Sequence, residues 1–258
     1  MTRIPFACAA GLLALGLSSG VLGADVQAVV GWSQKVELGT LVSGVVSQVE
    51  VQPGQLVKKG DNLITLDNRG FNGLVSRRQA EFAHAQAALQ EAQREDERAA
   101  ELYDRTLLSD YERNQALIAL HAARAHLERA RSELVTARLD LEHSAVRAPF
   151  DGVVLAVNAA PGQSVVSEMQ SQPLVTLAAN RVYRARAQID LAQAGQLAPG
   201  QRLQASARGQ AIEGSVAYVG FEPVAQSAQG PQYELVAEFA VTDQQPLRVG
   251  ETVILHLE

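Results

Sequence analysis

Cysteine occurs once in the 258 residues, methionine twice, lysine three times, and aromatic side chains make up only 5% of the chain. The single thiol, Cys8, lies in the first apolar stretch, so no disulfide framework can hold the fold. Met1 and Met169 alone cannot supply the thioether cluster of a soft-metal site. His84, His121, His126, His143 and His256 form no i, i+4 pair and have no cysteine partners, which argues against a zinc site. There is no Gly-rich phosphate loop, nucleophile elbow or Ser-His-Asp spacing, so neither catalysis nor a bound cofactor is expected. The 22 basic residues are outnumbered by 28 acidic ones, which argues against nucleic acid as the main partner. With 47% hydrophobic and 19% charged residues the chain should still fold, and it is too polar for a polytopic membrane protein. Twelve aromatics are few for one thick core of this length, which predicts slender modules and a long helical element.

Residues 1–23 carry one charge, Arg3, then an apolar run from Phe6 to Leu17 and small residues up to Gly23. This is the pattern of a signal peptide cleaved near Gly23, with export to an oxidising compartment. The other reading is an uncleaved anchor, because Phe6 to Ala24 is nearly the ~20 residues that span a bilayer.

An internal repeat follows. Gly44-Val-Val-Ser-Gln-Val-Glu-Val-Gln-Pro53-Gly54-Gln55-Leu-Val57 returns as Gly152-Val-Val-Leu-Ala-Val-Asn-Ala-Ala-Pro161-Gly162-Gln163-Ser-Val165. Each copy reads as a strand, a Pro-Gly turn and a second strand, and each leads to a further strand, Leu63–Leu66 and Leu174–Leu177. Neither half can bury an apolar face alone, so the two should pair into one sandwich around an insertion.

The insertion has no Pro from Leu74 to His143, and Ala, Glu, Arg, Gln and Leu dominate it. Leu120, Leu127, Leu134 and Leu141 recur every seven residues, as do Ala116, Ala123, Ala130 and Ala137. Val75, Phe82, Leu89 and Tyr103 continue one register in the earlier half, interrupted at Asp96, and Ala85, Ala92 and Ala99 continue the other. In an antiparallel pair, facing residues share a constant sum of positions. The pairs 75 with 141, 82 with 134 and 89 with 127 do so, and 85 with 130, 92 with 123 and 99 with 116 share another, one lower. This predicts an antiparallel coiled coil with its tip at 106–108, and Ser109 with Glu112 reads as the capping box that restarts the chain. Leu107 and Leu108 stand at the tip as a contact surface or as a local cap over the last turn. Glu95-Asp96-Glu97, flanked by Arg94 and Arg98, reads as an exposed helix face.

The repeat resembles the biotinyl/lipoyl carrier fold. In such carriers the modified lysine sits on the hairpin between the halves; here that point is Asp67-Asn68-Arg69, and Lys58 and Lys59 lie within a half, where they read as a solvated turn. A lipoyl-like module split by a helical hairpin behind a signal peptide resembles the periplasmic adaptors, or membrane fusion proteins, of the HlyD and RND-type efflux families. The resemblance implies a mainly β fold with a long α-helical hairpin. Its parts would be N-terminal strands of a β-barrel over 24–42, lipoyl halves over 43–68 and 145–179, a coiled-coil hairpin over 69–144 and a small β-barrel over 180–258. A membrane-proximal domain is absent from this plan. It also implies a periplasmic link between an inner-membrane transporter, RND-type favoured and ABC possible, and a TolC-type outer-membrane channel. A homo-oligomer is implied as well, a hexamer or trimer of dimers. The tip pattern that docks on such channels is matched by Arg98, Leu102 and Ser109, with Leu107 and Leu108 beside them. Each also has a plain role: Ser109 as N-cap, Arg98 as partner of Glu95, Glu101 or Asp104, and Leu102 packed beside Tyr103. The alternative from another class is a secreted lipoyl-like carrier or a self-associating coiled-coil scaffold.

Overall fold

A computed structural model describes residues 24–167, 172–228, 230–240 and 247–257. The proposed signal peptide, Met169 and the terminal Glu258 lie outside them. The chain opens with strands β1 (Ala24–Trp32), β2 (Lys35–Leu38), β3 (Gly44–Val49), β4 (Leu56–Val57) and β5 (Asn62–Leu66). Helices α1 (Arg69–Asp104) and α2 (Asp110–His143) follow, then β6 (Ala145–Arg147), β7 (Gly152–Val157), β8 (Ser164–Val165) and β9 (Val175–Ala179). The last elements are β10 (Val182–Ile189), α3 (Leu191–Ala194), β11 (Arg202–Ala207), β12 (Gln210–Ser227), β13 (Gly230–Ala240) and β14 (Thr252–Leu257). They form two compact units, residues 32–183 and the remainder.

In the first unit two four-stranded sheets, β2-β9-β7-β4 and β6-β5-β3-β8, face each other. Each half of the repeat gives its short last strand to the other half's sheet: β4 pairs β7 and β8 pairs β3. The turns are tied the same way, Gly54 N–H donating to the Val154 carbonyl at 2.7 Å and Gly162 N–H to the Val46 carbonyl at 2.8 Å. Between the sheets, Val46, Leu63, Ile64, Leu66, Val154, Leu174, Val175 and Leu177 are almost wholly buried. The expectation that all of residues 24–42 belongs to the barrel needs correction. β2 pairs β9 of the sandwich, Lys35 opposite Ala178 and Leu38 opposite Val175. It takes the edge that β6 takes in the other sheet, so the pseudo-symmetry of the two sheets requires it there.

Among the described residues, five turns share one design. Gln52-Pro-Gly-Gln55, Ala160-Pro-Gly-Gln163, Ala198-Pro-Gly-Gln201, Lys58-Lys-Gly-Asp61 and Arg248-Val-Gly-Glu251 each hold glycine at φ between +84° and +91°. A type II turn needs that conformation at its third residue, and L side chains rarely adopt it. The fourth residue then reaches back, its side-chain oxygen accepting the first residue's N–H at 2.8–3.2 Å. Its own N–H donates to the first residue's carbonyl at 3.0–3.1 Å. Both polar groups of the turn are thus satisfied without help from water.

α1 and α2 lie antiparallel. Arg78 binds both Glu81 and Glu133, and Arg138 donates to the Gln79 amide oxygen at 2.6 Å. Ala85 and Ala99 on α1 are buried, as are Ala130, Leu134 and Ala137 on α2. Asp96 does not lie on an exposed face with its neighbours: its half-buried carboxylate accepts from Arg113 of α2 at 2.6 Å. At the sandwich end the helix pair is pinned by Thr40, whose buried hydroxyl donates to the His143 carbonyl at 3.0 Å. Tyr103, placed in the helix seam by its spacing, is exposed instead. No helix among the described residues is long and apolar enough to cross a membrane.

The second unit is a closed barrel in the order β1-β10-β13-β12-β11-β14. Strict alternation puts Leu203, Ala205 and Ala207 of β11 and Val253, Leu255 and Leu257 of β14 inside, and small alanines let six strands close around Phe239. β12 continues past Val219, where Gly220 and Pro223 would be read as a strand end, because bulges between Val219 and Ala225 absorb both residues. Phe221 is left 99% exposed there.

The two repeat glycines Gly44 and Gly152 are predicted to differ in mutational cost. A Cβ on Gly152 would stand 2.3 Å from the Ala178 carbonyl oxygen, whereas on Gly44 it would meet only the Leu66 side chain at 3.2 Å. Gly152→Ala should lose about 1–3 kcal/mol in urea unfolding, and Gly44→Ala less than half as much; equal losses would contradict this packing.

Candidate partner-docking site

The end of the helix pair is built by backbone geometry first. α1 ends at Asp104 with Arg105 as its C-cap, and Thr106 takes φ +62°, a conformation in which a β-branched residue is strained. The Thr106 N–H donates to the Tyr103 carbonyl at 2.8 Å and the Leu107 N–H to the Leu102 carbonyl at 2.9 Å. These two bonds are those of a Schellman motif, with threonine where glycine is usual. The Asp110 carboxylate across the turn pushes the pKa of the Tyr103 phenol up.

Ser109 then starts α2. Its hydroxyl accepts from the Glu112 N–H at 3.3 Å and lies 2.7 Å from Glu112 Oε2, which also accepts the Ser109 N–H at 3.0 Å. The hydroxyl proton is therefore directed at Glu112, and these bonds hold the Glu112 carboxyl below its usual range. Asp110 and Glu112 in the first turn also face the positive end of the helix dipole.

Leu102 and Leu108 share one open groove of about 480 Å³ with Ala99, Tyr111, Gln115 and Ala116, edged by Glu95 and Glu112. Arg98 and Ser109 do not line it, but the hydrogen-bond partners of both do. Arg98 is exposed and binds Glu95 at 2.5 Å, a surface pair worth about 0–1 kcal/mol that a partner can displace. The two tip leucines separate: Leu108 is half-buried in the groove, while Leu107 is 68% exposed outside it. Tyr111 was not singled out by the tip pattern. Its ring is exposed and its hydroxyl accepts from Gln115 Nε2 at 2.7 Å. The arrangement offers apolar burial beside two carboxylates, a guanidinium and a phenol, which suits a protein surface. Among the described residues no group of His, Asp or Glu stands together as a metal-binding set.

Because the Glu112 pKa is lowered by folding, its contribution is complete above the ordinary carboxylate range and is lost as pH falls through the lowered value. Ser109→Ala should return the Glu112 titration, followed by carboxyl NMR, to the ordinary range and cost about 1 kcal/mol in helix stability. An unchanged titration would show that the cap does not hold the carboxylate.

Comparison with known proteins follows the same lines. Residues 34–179, more than half the chain, match the CzcB-like, barrel-sandwich hybrid domain. The membrane fusion protein Spr0693 from Streptococcus pneumoniae R6 superposes with a TM-score of 0.68 at 18% identity, covering 91% of this chain and 98% of that one. MacA from Actinobacillus actinomycetemcomitans gives 0.64 at 22% identity over 92% of this chain and 78% of its own. A MacA-MexA chimera carrying the Pseudomonas aeruginosa MexA α-hairpin domain gives 0.60 at 21% identity, over 93% and 83%. The interlocked sandwich thus has a known counterpart: the chain belongs to the CzcB-like barrel-sandwich hybrid family and shares its fold with a membrane fusion protein.

Proposed function

We propose that this chain is a non-enzymatic periplasmic adaptor of a tripartite efflux system, joining an inner-membrane transporter to a TolC-type outer-membrane channel. The family match and the shared fold support the adaptor role. The observation that carries the docking half is the tip: Leu107 and Tyr111 are exposed at the end of two helices of 36 and 34 residues. At 1.5 Å per residue the pair is a coiled-coil arm of ~50 Å, long enough to present its end to a distant partner. Arg98 and the tip backbone supply hydrogen bonds to a helix-turn end of the channel, while Leu102, Leu107 and Leu108 supply apolar burial. Ser109 keeps the turn in shape through its cap. The transporter is of the RND type in this reading, with an ABC transporter as the second choice, and several copies, six in the favoured arrangement, surround the path. The chain reaches the periplasm by its cleaved leader and stays at the inner membrane through the transporter.

Arg98→Asp and Leu107→Asp change exposed side chains that the fold does not need. Each should lower efflux at least tenfold in a cell-based transport assay at unchanged protein level, and Ser109→Arg should do the same. Wild-type efflux in all three variants would remove the tip from the docking surface.

A further inference from the structure

Charge is unevenly distributed along the helix pair. From Glu91 to Gln115, around the turn, eight acidic side chains stand against four arginines, a balance of −4. The rest of the pair, residues 69–90 and 116–143, has seven arginines against five acidic side chains, a balance of +2. Three of the four tip arginines are already bonded: Arg94 to Glu91, Arg98 to Glu95 and Arg113 to Asp96. Among the described residues this leaves Arg105 as the one tip guanidinium outside an ion pair, against Glu97, Glu101, Asp104, Asp110 and Glu112. The surplus does not serve α1 itself. Glu101 and Asp104 lie in its last turn, the negative end of its dipole, where cations are favoured, and no basic residue stands in that turn. Glu97 and Glu101 are four residues apart, the spacing at which like charges repel. Acidic groups that weaken the helix carrying them are offset by a partner of the opposite sign.

The surplus surrounds the groove of Leu102, Leu108 and Tyr111, whose edges are Glu95 and Glu112. An arginine side chain matches every part of that lining. Its stem lies on apolar surface, its planar head stacks on a phenol ring, and its fork of N–H groups meets a carboxylate with two hydrogen bonds. We propose that the groove receives an arginine of the partner protein, its stem on Leu102 and Leu108 and its guanidinium between Tyr111 and the Glu95 and Glu112 carboxylates, and that the partner's docking end carries net positive charge. This inference rests on the reading of the tip as the docking site. In the free chain Glu95 is held by Arg98. The incoming arginine takes over Glu95, which frees the Arg98 guanidinium to donate to main-chain carbonyls of the partner. At physiological salt exposed charges act over ~8 Å, so the surplus selects among partners at contact and does not draw them from afar. A partner end of negative charge is rejected by the same carboxylates that hold the right one.

The probe is acetyl-leucyl-arginine amide, titrated into the full chain while the methyl NMR signals of Leu102 and Leu108 are followed; its citrulline analogue has the same shape without the charge. The arginine peptide should shift both leucines in a saturable way. The citrulline peptide should bind about tenfold more weakly, the worth of one charge-assisted hydrogen bond. Glu95→Gln combined with Glu112→Gln should weaken the arginine peptide to the same degree with helicity unchanged, since glutamine also completes a capping box. Equal binding of the two peptides, or arginine shifts spread over the acidic tip that miss the leucine methyls, would overturn the proposal. Photocrosslinking from Leu107 in cells separates this outcome from the fate of docking itself. A channel captured equally by the wild type and the double glutamine variant would overturn the arginine pocket and keep the docking reading. Binding of the arginine peptide with no channel captured would overturn the docking reading and keep the groove's preference for a basic side chain.

Discussion

The reciprocal pairing of the two sandwich halves constrains everything else in this unit. Gly54 of the first half donates to Val154 of the second, and Gly162 of the second donates to Val46 of the first. Neither half has a complete sheet until the other arrives, because β4 and β8 are exchanged between them. Whatever is inserted between the halves must leave and return at one place. Two helices of 36 and 34 residues do this, since nearly equal antiparallel lengths bring the chain back to its start. The Leu66 N–H accordingly donates to the Ser144 carbonyl at 2.8 Å, joining the two ends of the insertion. The interlock thus asks only that the two ends of the insertion meet, and the antiparallel helix pair meets that condition.

Most of this plan could be read from residues, for identifiable reasons. The repeat announced itself because Pro-Gly at 53–54 and 161–162 sits at a turn that only glycine satisfies without strain, with φ +88° and +87°. Gln55 and Gln163 belong to the same device, and Lys58-Lys-Gly-Asp61 is that device without proline, which side-chain type alone does not mark. Alternation in Lys35–Leu38 marks a strand but not its neighbour, since period two says which face is buried and nothing about which sheet receives the strand. Only the symmetry of the assembled sheets gives β2 its place. Gly220 and Pro223 hid the length of β12 because bulges cannot be inferred from local propensity.

At the tip, Leu102 and Leu108 were legible as apolar residues near a turn, and both line the groove. Tyr111 was not, because its seven-residue spacing with Ile118 lies outside the leucine and alanine registers of the helix seam. The strained Thr106 has no sequence signature at all: glycine is the usual residue there, and threonine is held in place by the Schellman bonds on either side of it. The polar groups of the tip are mostly engaged internally, Ser109 with Glu112, Tyr103 with Asp110 and Arg98 with Glu95. In the proposed docking, a partner would meet a preformed surface whose exposed pairs are weak enough to exchange, while the cap fixes the backbone beneath them.

The most direct measurement is site-specific photocrosslinking from Leu107 in living cells, followed by identification of the trapped protein. An adaptor whose arm reaches an outer-membrane channel should yield that channel as the main product, and the yield should fall with Arg98→Asp. Capture from Leu107 of only the same chain or of an inner-membrane transporter would contradict the account, because it would place the end of the arm against the wrong partner.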